Sequence, residues 1–353
     1  MSRHGALALP APPVPATSPI EASGLPRDAA QLLVSRKAGA TIEHQRLLDL
    51  PAILAAGDAL VVNTSAVLPA ALPTFDHDGS PLRLHLSTRD PAGSAPAGRR
   101  WIVEVRRPAG LGSEPHGRAR PGQALPLPAG GRAVLEAPSA PGPGGDGVRL
   151  WRARLQLPAP VLSYLDAHGS PVRYSDTGRA WPLETYQTVF ARHPGSAESP
   201  SAARGFTPGL VARLLAAGVD IVPVLLHTGL SSQELGEPPA WEWHEVTPAS
   251  AARINAARRV IAVGTTATRA VETAAGPDGI LRSSRGWTDL VVTANGGLRA
   301  VDGLLTGWHE PEASHVALLE AVGGPALLER AYRVAAEAGY RWHELGDSHL
   351  ILP

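Results

Sequence analysis

The sequence predicts a mixed α/β protein, a large α/β domain interrupted by a small antiparallel β-barrel or sandwich domain. Two observations predict it. Short apolar runs alternate with helical patterns over residues 25–75 and 158–353, as in a sheet flanked by helices. Between them, residues 76–157 change texture. Alternating runs at 82–86, 101–105 and 148–157 are separated by Gly-, Pro- and Ala-rich loops, the pattern of an antiparallel sheet.

The elements follow in order. Residues 1–24 are rich in Pro, Ala and Ser and read as a disordered tail. A strand is expected over 30–36, a second around 41–44, a short helix over 49–56 closed by Gly57, and a strand over 58–63. In the β region, 90–99, 108–122 and 137–147 are expected to be loops. Helices are expected over 159–166, 208–217, 248–257, 312–321 and 325–337. Strands are expected over 219–226, 260–263, 290–292 and 350–352.

Composition narrows the function. The 353-residue chain is 44% hydrophobic, enough for one large or two ordinary cores. Its formal net charge is zero, so no overall cationic field advertises a nucleic-acid partner. It has no cysteine, which removes disulfides, thiolate zinc sites and cysteine nucleophiles. Thirteen histidines leave imidazole sites open, but no HExxH spacing occurs, and no metal is assigned. No apolar run reaches membrane-spanning length, and prolines at 10, 12, 13 and 15 break the start of any secretory signal. The reading is a cytoplasmic monomer with no membrane partner.

The segment 259–272, RVIAVGTTATRAVE, carries the most chemistry. A buried strand stops at Gly264, and a helix begins with Thr265, Thr266 and Thr268, followed by Arg269. Gly264 permits a tight turn or close ligand approach, and the threonines are placed to cap the helix. A helix start of this kind attracts carboxylate or phosphate, although an ordinary capped helix explains the segment as well. Elsewhere, His227 ends a strand, and Tyr186 and Gln187 lie in a short polar-aromatic run that also suits an edge strand. Trp308, His309 and Glu310 precede a helix, and Asp347 sits in a turn before the last strand. Singly, each has a plain structural explanation.

Taken in order, the segments resemble the S-adenosylmethionine:tRNA ribosyltransferase-isomerase family of queuosine biosynthesis from about Pro26 to Pro353. Pro26-Arg27-Asp28 with Leu32-Leu33-Val34 resembles RDxxxLLV, and 58–64 with Asn63 resembles GDLLVLNDT. Residues 186–191 are close to YQTVYA, and 260–269 to VIAVGTTSxR. Val301-Asp302, His309, Pro311, Tyr340-Arg341 and Gly346-Asp347 complete the series. Departures fall in presumed site segments. TAGLHFT becomes SAARGFT, so Gly205 replaces a histidine; the MHxE segment keeps only Glu242 of its polar pair; TNFHLPKS becomes TGWHEPEA; and the arginines of NDTRVIPAR are absent. This pattern describes a divergent paralogue.

The resemblance implies transfer of the ribosyl part of S-adenosylmethionine, as co-substrate and without metal, to a 7-aminomethyl-7-deazaguanine base in tRNA. It implies that Thr265, Thr266 and Arg269 bind the methionine carboxylate, with Gly264 allowing the approach. His227 or His309 is expected as general base or acid, and Glu242 as the group balancing the sulfonium. Tyr186 and Trp308 are expected to stack on adenine or cover the sulfonium, with Gln187, Asn63 and Asp347 as further substrate contacts. A non-tRNA acceptor and a non-catalytic S-adenosylmethionine-binding module are the alternatives.

Overall fold

A computed structural model describes residues 14–92, 99–141, 148–174, 179–230, 240–311, 313 and 315–353. Its centre is a nine-stranded mixed sheet. In spatial order the strands are Ser284–Thr288, Glu242–Val246, Asp220–His227, Asp58–Asn63, Arg259–Val263, Gly303–Gly307, Ser348–Leu352, Gln31–Arg36 and Thr41–Arg46. The four strands from Asp220–His227 through Gly303–Gly307 run parallel. Ser348–Leu352 runs against them, beside its parallel neighbour Gln31–Arg36. The carboxyl ends of the four parallel strands therefore meet the amino end of Ser348–Leu352, and the candidate site lies there.

The period-2 alternation of a strand explains the two layers over this sheet. Leu60, Val62, Ile261 and Val263 face one side, against the helix Pro208–Ala216 through Leu210 and Leu214. Ala59, Val61, Val260 and Ala262 face the other, against the helices Thr265–Ala274, His315–Gly323 and Pro325–Glu337. All six residues of Asp58–Asn63 are buried, as expected of a central parallel strand covered on both faces. Asp58 at its start is fully buried and paired with Arg259 at 2.6 Å and Arg258 at 2.7 Å.

A second, antiparallel sheet contains Ala71–Phe75, Pro81–Arg89, Arg100–Ala109, Val148–Gln156, Arg132–Pro141 and Ala124–Pro126, with Gly112–Pro115 paired to Arg100–Ala109. Its core includes Leu84, Val103, Val105, Leu135, Trp151 and Leu155, closed by Tyr164 and Leu165 of the helix Val161–His168. Among the described residues no helix is long and apolar enough to cross a membrane.

Four expectations need correction. Residues 14–24 are not a free tail. Val14–Pro15 pairs with Arg341–Trp342, Ile20 is buried, and Glu21 binds Arg204 at 2.6 Å and Arg27 at 2.8 Å. A polar, proline-rich composition concealed these few anchors. Residues 290–292 are not a strand; the strand is Ser284–Thr288, where Trp287 pairs with Trp243. The Leu290 carbonyl instead accepts from Arg269 Nε at 3.0 Å. The 108–122 segment contains the strand Gly112–Pro115, and 137–141 continues Arg132–Pro141 through register shifts that accommodate Pro138 and Pro141; residues 93–98 and 142–147 lie outside the described residues. Finally, Tyr186 follows a 3₁₀ turn, Leu183–Thr185, rather than lying in an edge strand.

Candidate active site

A cleft of about 630 Å³ opens at the carboxyl ends of the parallel strands, within the ~300–1,000 Å³ range of small-molecule sites. Gly264, Thr265 and Thr266 form one wall. Gly264 has φ +89°, donates its N–H to the Leu305 carbonyl at 2.7 Å, and lies so near Ala202 that a Cβ would meet its methyl at 3.2 Å. Glycine is thus required twice, by conformation and by proximity. No side chain caps the helix Thr265–Ala274. Thr268 bonds back to the Gly264 carbonyl at 3.1 Å, and Thr266 Oγ1 accepts from Asn63 at 3.2 Å. The threonines therefore do not cap, contrary to expectation. The N–H groups of Thr265 and Thr266 have no acceptor among the described residues, so a partial positive charge faces the cleft.

The lining continues along the neighbouring strand Gly303–Gly307. His309 Nε2 lies 3.1 Å from Thr306 Oγ1, and its ring stacks on His315 with centroids 4.6 Å apart. Burial, with His315 and His343 adding to it, pushes His309 well below the usual histidine range; burial likewise pushes His315 down to about 4. Both are neutral at pH 7, so His309 is available as a proton acceptor. Trp308 borders the cleft but is 1% exposed. Its ring stacks on His349 at 4.7 Å and packs edge-on against Tyr332 and Tyr340. It anchors an aromatic core and offers no open face to a ligand, which corrects the stacking role expected of it.

Tyr186 reaches the cleft from the third side, fixed where its carbonyl accepts from Ser199 at 2.7 Å. Beside it, Tyr174 donates to Glu198 Oε1 at 2.5 Å. Arg173 lines the same side, and its buried Nε and Nη1 have no hydrogen-bond partner among the described residues. Glu344 completes the lining from the turn before the last strand. Burial and the neighbouring Glu198 carboxylate push it up to about 8.

Six expected site residues serve the frame instead. His227 does not line the cleft; its Nδ1 lies 2.8 Å from Ser65 Oγ and its ring against Gly195, where a Cβ would come within 2.3 Å. Burial pushes it down to about 4. Arg269 and Glu242, expected to meet separate parts of the ligand, bind each other, 7% and 6% exposed, and neither lines the cleft. Asn63 spends its amide on both Leu226 backbone groups, the Ser65 N–H and Thr266. Gln187 clamps both backbone groups of Val67. Asp347 accepts from the N–H groups of Gln31 and Arg341 and pins the turn carrying Glu344. The motif series thus located Gly264, Thr265, Thr266, Tyr186 and His309 in one cleft, but missed Arg173, Tyr174, Glu198, His315 and Glu344. Glu344 had a signal, a carboxylate between the matched pairs at 340–341 and 346–347; Arg173 and Tyr174 had none.

Fold and cleft together describe an α/β protein with a candidate small-molecule site at its strand ends, lined by a guanidinium, imidazoles and two carboxylates. The chain belongs to the family described as "Queuosine biosynthesis protein", whose model matches residues 8–351. Its relatives include an S-adenosylmethionine:tRNA ribosyltransferase-isomerase of Moorella thermoacetica, 36% identical over 96% of each chain. Another, from Xanthobacter autotrophicus, is 36% identical over 93% of each. The crystal structure of S-adenosylmethionine tRNA ribosyltransferase from Thermotoga maritima is similar over 96% of each chain, with 26% identity and a TM-score of 0.51.

Proposed function

We propose that this protein is an S-adenosylmethionine:tRNA ribosyltransferase-isomerase. It transfers and rearranges the ribosyl part of S-adenosylmethionine onto a 7-aminomethyl-7-deazaguanine base in tRNA, as a cytoplasmic monomer. The observation that carries the reading is the cleft itself, in a chain that belongs to this family: an uncapped helix terminus and a guanidinium whose Nε and Nη1 have no partner among the described residues share one ligand-sized space. S-adenosylmethionine, the co-substrate, offers a carboxylate to match them. We assign that carboxylate to Arg173 and the Gly264–Thr266 turn.

The neutral His309 takes the proton from ribose C5′, which the adjoining sulfonium acidifies. Tyr186 covers the donor. The Arg269–Glu242 pair braces the helix behind the turn. The antiparallel sheet running from Ala71–Phe75 to Val148–Gln156 forms a β domain inserted in the α/β domain and helps hold the tRNA.

The test is to incubate the protein with S-adenosylmethionine, with and without tRNA bearing the deazaguanine, and to follow adenine and methionine. Release that requires the tRNA is the expected result. Release independent of tRNA would indicate another acceptor, and binding without release would indicate a binding module.

A further inference from the structure

Moving only the ribosyl part of S-adenosylmethionine requires two bonds to break, one to sulfur and one to adenine. The sulfonium leaves as a neutral thioether. Adenine leaving with the electron pair is an anion unless it takes up a proton, so the cleft needs an acid as well as a base.

The turn between Arg341–Trp342 and Ser348–Leu352 is built to hold one group in the cleft. His343 adopts φ +73°, an unusual and costly conformation for a residue other than glycine. Its N–H bonds to the Trp308 carbonyl and its imidazole lies 3.1 Å from Glu310, while Gly346 bonds back to the His343 carbonyl at 3.0 Å. Gly346 is pressed so close that a Cβ would fall 2.2 Å from the Arg341 carbonyl oxygen, and Asp347 clamps the Arg341 N–H. The strained backbone delivers Glu344 into the cleft, which His309 and the Gly264–Thr266 turn also line.

The charged and titratable groups facing Glu344 do not neutralise it. Arg204 gives both terminal contacts of one nitrogen to Glu21 and its Nε to the Thr185 carbonyl. Tyr186 is a phenol held protonated by burial and by Glu344 itself. Glu198, hydrogen-bonded to Tyr174, is a second carboxylate nearby, and its charge disfavours ionisation of Glu344. Arg173 also lines the cleft among the described residues, but the charges acting on Glu344 are those of Glu198 and Arg204.

From this placement we propose that Glu344 is the general acid that protonates adenine as it leaves. The inference rests on the ribosyl-transfer reading. The bond from ribose C1′ to adenine breaks with its electron pair going to adenine, and a ring-oxygen lone pair fills the vacancy at C1′. The Glu344 O–H bond breaks, its proton passes to an adenine nitrogen, and Glu344 remains as a carboxylate. The proton that His309 removes from C5′ balances the one Glu344 gives, and exchange with water restores both groups. With its proton retained up to about pH 8, Glu344 is loaded at neutral pH.

The experiment uses the full chain with S-adenosylmethionine and deazaguanine-bearing tRNA, comparing wild type, Glu344→Gln and Glu344→Asp across pH 6–10. The expected result is a fall in kcat of about 10²- to 10⁴-fold in Glu344→Gln with KM for S-adenosylmethionine changed only a few-fold. The fall in wild-type rate above about pH 8 should vanish in that variant and reappear in Glu344→Asp, whose rate is partly restored. A Glu344→Gln enzyme within threefold of wild type, or a slow one that keeps the alkaline limb, would overturn the proposal. Wild type that releases no adenine at all would instead overturn the ribosyl-transfer reading and this proposal with it.

Discussion

Arg269→Ala separates the frame from the ligand. Arg269 and Glu242 are 7% and 6% exposed and ion-paired. Glu242 also accepts from the Gly229 N–H at 2.8 Å, and Arg269 Nε donates to the Leu290 carbonyl at 3.0 Å. Removing the guanidinium leaves a buried carboxylate with one backbone donor and strips the Leu290 carbonyl of its partner. Breaking one side of a buried pair costs about 3–5 kcal/mol. The variant should lose about that much in urea unfolding. Replacing both residues by apolar groups, Arg269→Met with Glu242→Leu, should recover most of it, because no charge is then left buried and unpaired. Isothermal titration of folded Arg269→Ala with S-adenosylmethionine should show affinity within about tenfold of wild type, a factor that corresponds to ~1.4 kcal/mol. An unchanged urea midpoint together with affinity lost by two orders of magnitude would refute the reasoning and return Arg269 to the ligand.

Two further outcomes are expected. Arg173→Ala should weaken S-adenosylmethionine about 10- to 100-fold by titration calorimetry, the worth of a charge-assisted hydrogen bond of about 1.5–3 kcal/mol; unchanged affinity would remove Arg173 from the carboxylate site. Asp58→Asn should cost about 1–3 kcal/mol at pH 7. Burial of Asp58 opposes its charge, but Arg259, the Ala55 N–H and Arg258 outweigh it and hold its pKa below the usual value. A depressed folded pKa gives stability that is present above the unfolded value near ~3.9 and is lost as pH falls through the folded one. Urea midpoints of wild type and variant should therefore converge in that acid range, and a gap that persists unchanged there would contradict the account.

The parallel strands were legible because burial on both faces demands continuous apolar runs, and Asp58–Asn63 and Arg259–Val263 show such runs. Ser284–Thr288 was not legible. Its face is made by Trp287 against Trp243, a cross-strand pair that local sequence does not reveal, whereas the more apolar 290–292 is drawn to Arg269. Residues 14–24 failed for a related reason. Two backbone pairings to Arg341–Trp342 and the Glu21–Arg204 contact are distant in sequence and cheap in composition.

The site was legible only where the backbone does the work. Gly264 shows in the sequence because positive φ and the nearness of Ala202 admit little else, and it lies in the cleft as expected. Side chains in the same matched motifs divided differently. Asn63, Gln187 and Asp347 give most of their hydrogen bonds to backbone groups, so their presence reports how the strands and turns are tied. The departures divide in the same way. Gly205, standing where the family pattern has histidine, presses on Leu47, and a Cβ there would come within 2.3 Å of Leu47 Cδ2, so glycine at this position goes with close packing by Leu47. The missing motif arginines and lysine likewise do not leave the cleft without positive charge, because Arg173 brings a guanidinium from outside every matched motif. On the proposed reading, donor recognition rests on a backbone turn visible in the sequence and on a cation that only the fold brings to the same cleft.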